Sequence, residues 1–334
     1  MTGQGRPYKL YNAPQICYPL YRSSFSLMQV QDKLRLLQEI AGVSQTELAR
    51  QLGVSFVTLN RWVNEKAEPR AAAERRITSL FRATTGTSED HDDPLSAKKA
   101  VLLSRASQQS SVLQAILKEP DIRDEFVLRL TFTSNQIEGS TLTEAETAAI
   151  LFHNDNVPRR SLIEQLEAKN HQAALEFLFR HGGSGGVIDE ALILRLHAIL
   201  MNGVRDDAGS YRSHAVRIVG ANVPTANYLR VPDLMGALLK DAQKGNADPI
   251  QYAAAFHSAF EQIHPFSDGN GRVGRLLLHA MLVAVNYPPA VIRPGRRRVY
   301  HRALNVAQRE GNIARLEDVI CTGVLEGWRI LQRT

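Results

Sequence analysis

Along most of this chain apolar residues recur at spacings of three and four, the period of an amphipathic helix. Val112 and Ile116, Phe126 and Leu130, then Leu192, Leu196 and Ile199 carry the pattern through the middle. Tyr252, Phe256, Phe260 and Ile263 extend it, and Val273, Leu276, Leu277, Ala280 and Met281 follow. One stretch breaks the period. Residues 216–228 read Val-Arg-Ile-Val-Gly-Ala-Asn-Val-Pro-Thr-Ala-Asn-Tyr, and their β-branched start, central Gly and Pro predict a short surface hairpin. The fold class is therefore mainly α with one small β-hairpin. The run from His181 to Gly186, His-Gly-Gly-Ser-Gly-Gly, follows no strand and reads as a plain loop between helices.

The pattern divides the chain. Residues 1–26 form a flexible arm with Arg6, Lys9 and Arg22, four tyrosines and no clear period. Met28 opens the first good helical pattern, which makes it an alternative to Met1 as the start of translation. Residues 27–76 read as several short helices. Residues 77–96 read as a linker around the polar run from Thr84 to Asp93, and 97–334 as one large helical domain. A length of 334 residues suits two or three domains.

Composition narrows the class. A hydrophobic fraction of 44% and a charged fraction of 22% are those of a soluble globular protein. Nothing approaches the roughly 18 uninterrupted apolar residues of a membrane span, and Tyr, Pro, Asn and Gln interrupt any apolar core near the N-terminus. The two cysteines, Cys17 and Cys321, stand at opposite ends, which fits a reducing compartment. The expected location is cytoplasmic, with no membrane partner. A net charge of +6 suits a nucleic-acid or nucleotide partner without proving one. The basic run at Arg293 and Arg296 to Arg298 reads as a solvated loop.

Within 27–76, Ser44 and Glu47 have the spacing of a capping box and start a helix whose inner face is Leu48, Ala49 and Leu52. Gly53 permits a tight turn, and Ser55 caps a second helix with Leu59 and Trp62 inside. The spacing resembles the lambda-repressor-like helix-turn-helix class. That resemblance implies that the second helix enters the major groove by its N-terminal end. Ser55, Phe56, Thr58, Asn60 and Arg61 are then the candidates to meet DNA, with Arg70, Arg75 and Arg76 available to phosphates. A helical bundle used for protein contact is the alternative, and a single copy that does bind an operator is expected to dimerise.

The most informative stretch is His264-Pro-Phe-Ser-Asp-Gly-Asn-Gly-Arg-Val-Gly-Arg275. Pro265 stops the preceding helix and leaves His264 at its end. Asp268 to Gly271 is a turn whose two glycines let the backbone approach a ligand closely. A new helix starts at once, so backbone N–H groups and a positive helix end converge on one point, an anion site. Arg272 and Arg275, three apart, suit phosphate oxygens. Asp268 offers a hard oxygen to Mg²⁺, and His264 is the one neutral-pH base of the set. Together they describe attack by a hydroxyl on a nucleotide phosphate.

The stretch is similar, without a departure, to the His-x-Phe-x-Asp/Glu-Gly-Asn-Gly-Arg-x-x-Arg signature of the Fic family. Leu196 to Met201, followed by Ala208-Gly-Ser-Tyr-Arg212, resembles the segment leading to that family's flap, and the 216–228 hairpin falls where the flap lies. The resemblance covers roughly residues 97–327. It implies an α-helical Fic domain with a small hairpin flap, and a protein adenylyltransferase moving AMP from ATP to a Ser, Thr or Tyr hydroxyl of a target protein. It implies that His264 deprotonates the hydroxyl, Phe266 anchors the loop, and Asp268 holds Mg²⁺. It further implies that Gly269, Asn270, Gly271 and Arg272 stabilise the phosphates, that Arg275 binds the γ-phosphate, and that the flap holds the target by strand pairing.

Ser134-Asn-Gln-Ile-Glu138-Gly139 resembles the family's inhibitory pattern, Ser/Thr-x-x-x-Glu-Gly/Asn, ahead of the active loop. The implied device is a pair between Glu138 and Arg275 that removes the partner of the γ-phosphate. In parts of the family the same Glu helps remove AMP from a modified protein. Alternatives remain a de-AMPylase, a DNA-binding regulator with a nucleotide-sensing Fic module, and an enzyme with another donor. A homodimer is suggested by the helix-turn-helix and by family habit.

Overall fold

The computed structural model describes residues 28–86, 93–217, 223–242 and 248–332. The arm at 1–26 lies outside them. The first helix, α1, spans Val30–Ala41 and ends where Gly42 turns left-handed, at φ 69°. Ser44 caps α2 (Gln45–Leu52) by accepting from the Glu47 N–H. The expected reciprocal bond gives way to an ion pair, because Glu47 turns its carboxylate to Arg50 at 2.6 Å. Gly53, at φ 66°, makes the turn into α3 (Phe56–Val63), capped by Ser55. Leu34, Leu37, Leu48, Leu59 and Ile77 are buried between these helices and α4 (Ala71–Thr85).

That last helix reaches into the stretch read as a linker. Ile77 and Phe81 are buried, and Thr85, four residues on, is buried too and donates to the Phe81 carbonyl. The polar run therefore begins inside a helix whose apolar stripe is already complete. Only residues 86–93, of which 87–92 lie outside the described ones, separate α4 from α5 (Pro94–Gln108).

The larger part continues with α6 (Val112–Lys118), α7 (Pro120–Glu138) and α8 (Glu144–Ala148), the last running into one π turn at Ala149–His153. Then come α9 (Leu162–Gly183), α10 (Glu190–Leu200), α11 (Val231–Ala242), α12 (Pro249–Ile263) and α13 (Asn270–Ala284). Finally α14 (Arg297–Glu310) and α15 (Ala314–Leu331) pack as a pair. The centre is the α12–α13 pair, with α7, α9 and α10 against α13 and with α14 and α15 against α12. Gly274 lets the pair close, since a Cβ there would stand 2.6 Å from Glu261 Oε1 and 3.1 Å from the Phe260 ring.

No strand occurs among the described residues. The expected hairpin at 216–228 falls partly on residues outside them, and its described ends carry no ladder. Those ends meet through Thr225, whose hydroxyl donates to the Val216 carbonyl at 2.9 Å.

The N-terminal bundle is tied to the rest by buried charge. Lys98 on α5 is 3% exposed and meets Glu39 of α1 at 2.8 Å and Asp318 of α15 at 2.6 Å. Arg329 donates to the Glu39 carbonyl at 2.5 Å, and Arg105 to the Ile40 carbonyl at 3.1 Å. The basic run reaches this seam through Arg296, 4.0 Å from Glu39. Arg293 is paired with Glu326 at 2.5 Å, and Arg297 opens α14, so the stretch is a helix start rather than a plain loop. No described helix is long and apolar enough to cross a membrane.

Candidate active site

α12 ends at His264, which takes a left-handed conformation (φ 54°, ψ 61°) that few non-glycine residues adopt. That twist throws the chain out of the helix and into the 265–269 loop. The loop is closed by Asn270, whose amide accepts from the Phe266 N–H and donates to the Phe266 carbonyl, both at 2.8 Å. Asn270 is 2% exposed, so its side chain serves the loop and leaves only its backbone to a ligand.

Phe266 is fully buried and lies flat on His197, with ring centroids 3.7 Å apart and 9° between planes. His197 accepts from the Gly209 N–H through Nδ1 at 2.9 Å, so its proton sits on Nε2, which donates to the Asp268 carbonyl at 3.2 Å. Burial lowers its pKa to about 4, against the raising effect of that carbonyl, and keeps it neutral. Arg212 closes the other side, donating to the carbonyls of His264 at 2.7 Å, His214 at 2.8 Å and Ala226 at 2.6 Å. One guanidinium thus joins the active loop to His214, just before the 216–228 segment, and to Ala226 within it.

The His264 ring uses Nδ1 on the Glu261 carbonyl at 3.2 Å. A carbonyl only accepts, so Nδ1 carries the proton and Nε2 keeps its lone pair. Burial lowers the imidazole pKa, helped by Arg212 and against the raising effect of the Glu261 carbonyl, which favours the neutral base. Asp268 is half exposed; its Oδ1 accepts from the Gly269 N–H at 2.6 Å and stands 3.6 Å from Arg272. Gly269, at φ 79°, caps α13 against Met201, whose methyl a Cβ would approach to 2.6 Å.

Both arginines of the motif are buried and both meet a carboxylate. Arg275, 3% exposed, donates to Ser134 Oγ at 2.9 Å, to the Ser134 carbonyl at 3.1 Å and to Glu138 Oε1 at 2.6 Å. Arg272 donates to Glu167 of α9 at 2.6 Å. Glu138 closes α7, and Gly139 takes the left-handed cap at φ 106°. A Cβ on Gly271 would lie 2.2 Å from Glu138 Oε1. The carboxylate therefore sits against the first turn of α13, where a helix leaves its N–H groups without intrahelical acceptors and attracts anions. Burial opposes its ionisation, but the Arg275 guanidinium outweighs burial and holds its pKa below the usual carboxylate value.

Behind Arg275, Glu261 is buried with one oxygen unpartnered, and burial pushes its pKa up to about 8 against the lowering effect of Arg275. Sequence reasoning brought together His264 to Arg275 and the 134–139 turn, and the fold brings these two segments into contact. It missed Glu167, His197 and Glu261. Of these only His197 had a signal, its place in the Leu196 to Met201 segment.

The proposed DNA contacts divide. Arg61, Phe56 and Ser55 are exposed on α3, with Phe56 48% exposed although it is aromatic. Thr58 shares a hydrogen bond with the Ser55 hydroxyl at 2.8 Å, and Asn60 donates to Gln45 at 3.0 Å. Arg70, Arg75 and Arg76 are exposed around the start of α4.

Residues 187–282 match the model of the Fic/DOC family, and residues 34–73 match that of a helix-turn-helix. A protein adenylyltransferase Fic of Nematostella vectensis is 33% identical over 182 residues, 53% of this chain and 42% of the relative. One of Drosophila willistoni is 31% identical over 223 residues, 66% of this chain and 43% of the relative. The chain thus spans less than half the length of these relatives. A solved Fic family protein from Desulfovibrio desulfuricans superposes with a TM-score of 0.60 at 28% identity, over 72% of this chain and 75% of that one. Motif, geometry and matches agree that this chain carries a domain of the Fic/DOC family preceded by a helix-turn-helix domain.

Proposed function

We propose that the chain moves AMP from ATP to a Ser, Thr or Tyr hydroxyl of a target protein, and that Glu138 holds this activity down. The observation that carries the reading is the meeting of His264, the N-terminus of α13 and two buried arginines at one loop, with a carboxylate already against that helix end. His264 Nε2 takes the proton of the target hydroxyl. The hydroxyl oxygen forms a bond to the α-phosphorus of ATP, and the bond to pyrophosphate breaks. The backbone N–H groups of Gly269, Asn270 and Gly271, with Arg272, hold phosphate oxygens, and Arg275 takes the γ-phosphate once Glu138 leaves it. Phe266 anchors the loop through its stack on His197.

The donors also fit Mg²⁺. Among the described residues no group of three or more His, Cys, Asp or Glu converges, whereas Mg²⁺ uses one or two carboxylates with phosphate and water. The half-exposed Asp268 is that carboxylate. When bound, the ion neutralises phosphate charge.

Ser134 and Gly139 position the brake, Ser134 by gripping Arg275 and Gly139 by ending α7 beneath Glu138. The exposed Ser55, Phe56 and Arg61, with Thr58 and Asn60 shaping the helix start, support duplex DNA as a partner, read by a homodimer. The cytoplasm is the compartment this reading expects. A second reading, removal of AMP, is favoured by one observation: Glu138 lies against the backbone of Gly271, at the far end of the loop that His264 opens, so carboxylate and base flank one helix end.

The test incubates wild type, Glu138→Gly and Glu138→Gly with His264→Ala in ATP labelled at the α-phosphate, with Mg²⁺ and host lysate. Label on protein in Glu138→Gly alone is the expected result. No label in any lane, with ATP binding established separately, would leave AMP removal, another donor or a nucleotide-sensing regulator.

A further inference from the structure

A cavity of about 670 Å³ opens among α9, α10, α12 and α13, and no residue of the 264–275 motif lines it. Its walls are mainly apolar, built from Leu178, Phe179, Leu192, Phe256 and Met281. The glycine-rich turn rims it through Gly182 and Gly186, and the turn is packed closely there: a Cβ on Gly186 would stand 2.2 Å from His181 Nε2, which itself is engaged with the Val187 carbonyl at 3.0 Å. Size and lining are those of a small-molecule pocket rather than a packing defect.

Two polar groups on this wall have no partner. His279 is 2% exposed, and its Nδ1 makes no hydrogen bond; the Tyr252 hydroxyl is buried and makes none either. Buried polar groups are nearly always paired, and an orphan is costly. Two orphans on one cavity wall point to a ligand that pairs them. Among the described residues that line the cavity there is no Lys, Arg, Asp or Glu. A charged ligand would enter without a counter-charge. His279 offers none, since burial and the Arg275 charge one turn away keep it neutral.

We propose that this cavity is a second binding site, for an uncharged and largely aliphatic molecule whose single hydroxyl or amide pairs with His279 and Tyr252. Such a group both donates and accepts, as an imidazole nitrogen and a phenol lining one cavity require. The aliphatic part lies along the Leu178, Leu192 and Met281 wall.

The probes are 1-octanol and octanoate, titrated calorimetrically into the full chain. Wild type is expected to bind octanol and to bind octanoate at least tenfold more weakly. His279→Leu and Tyr252→Phe each lower octanol affinity by about tenfold, one hydrogen bond's worth. Ala280→Phe, which fills the cavity, abolishes binding. Tyr252→Phe removes one oxygen only and keeps the test alive should His279→Leu fail to fold. The proposal is overturned if wild type does not bind octanol, if octanoate binds equally well, or if folded His279→Leu and Tyr252→Phe bind octanol as wild type does.

Discussion

Glu138 Oε1 meets Arg275 Nη2 at 2.6 Å directly over the backbone of Gly271, so one carboxylate occupies both the guanidinium and the helix end that the proposed function gives to a triphosphate. The contact is charge-assisted, and Arg275 is also held by two bonds to Ser134. Glu138→Gln keeps a hydrogen-bonding side chain there but removes its charge. Label transfer should therefore rise in the order Glu, Gln, Gly, with about ten- to hundredfold between the ends. The lowered pKa of Glu138 keeps it charged at neutral pH. Its stabilising pair is complete above the ordinary carboxylate range and is lost only as pH falls through the lowered value. Equal rates for Gln and Glu would mean that bulk, not charge, sets the brake.

His197 is placed to position the site, bonded at one nitrogen to Gly209 and at the other to the loop carrying Asp268. In a Glu138→Gly background, His197→Ala should lower transfer by about tenfold or more, because a misplaced loop loses orientation. It should also raise the Mg²⁺ concentration needed for half-maximal rate. His197→Gln, which can still donate to the Asp268 carbonyl, should recover part of both. An unchanged Mg²⁺ dependence in His197→Ala would separate His197 from Asp268.

What the sequence made legible follows from how local each signal is. His264 at a helix end, the glycine turn and Glu138 before Gly139 are fixed by neighbours a few residues away, and the structure keeps each at that place. Glu167 is different. It lies on a polar face of α9, where a carboxylate reads as solvated, and its partner Arg272 is 105 residues on. Lys98 reads the same way beside Lys99, yet it is buried between α1 and α15, 220 residues from Asp318. Periodicity records which side of a helix is apolar; it does not record which buried charge will find which. Thr84 and Thr85, at the start of the polar run, belong to α4 for a related reason, since Thr85 finishes a buried stripe that its own chemistry conceals.

Glu261 makes stability depend on pH in the direction opposite to Glu138. Unfolded, it titrates near the ordinary 4.5; folded, burial raises it to about 8. Between those values the native state holds a proton that the unfolded chain has lost, so stability falls as pH rises through this window. Glu261→Gln removes the titration and keeps the shape. The melting temperature of the variant relative to wild type should climb from pH 5 to pH 8.5, by about 3 °C or more. Parallel curves would show that Glu261 titrates as an ordinary carboxyl.

The seam between the two domains rests on Lys98, which faces both Glu39 and Asp318, with Arg296 farther from Glu39 at 4.0 Å. Lys98→Met leaves a largely buried Glu39 without its main counter-charge, and about 2–3 kcal/mol of stability should be lost on denaturant unfolding. Adding Glu39→Leu should return much of it, since an apolar pair there needs no counter-charge. A Lys98→Met protein as stable as wild type would mean that Arg296 and water already satisfy Glu39.

The helix-turn-helix reading makes a prediction that a protein-contact bundle does not. Arg75 and Arg76 are exposed near the start of α4, apart from the exposed N-terminal end of α3. If they meet phosphates, Arg75→Ala with Arg76→Ala should weaken binding to every duplex alike and reduce the salt slope by up to about two. Arg61→Ala and Asn60→Ala should act differently, lowering the preference for a selected site over random duplex, because base contacts rather than phosphate contacts carry sequence information. Asn60 has its amide nitrogen on Gln45, so Gln45→Ala should repeat the Asn60 effect through misorientation. Competition binding at two salt concentrations separates the two classes. No duplex binding at low salt would assign α3 and its exposed Phe56 to a protein partner instead.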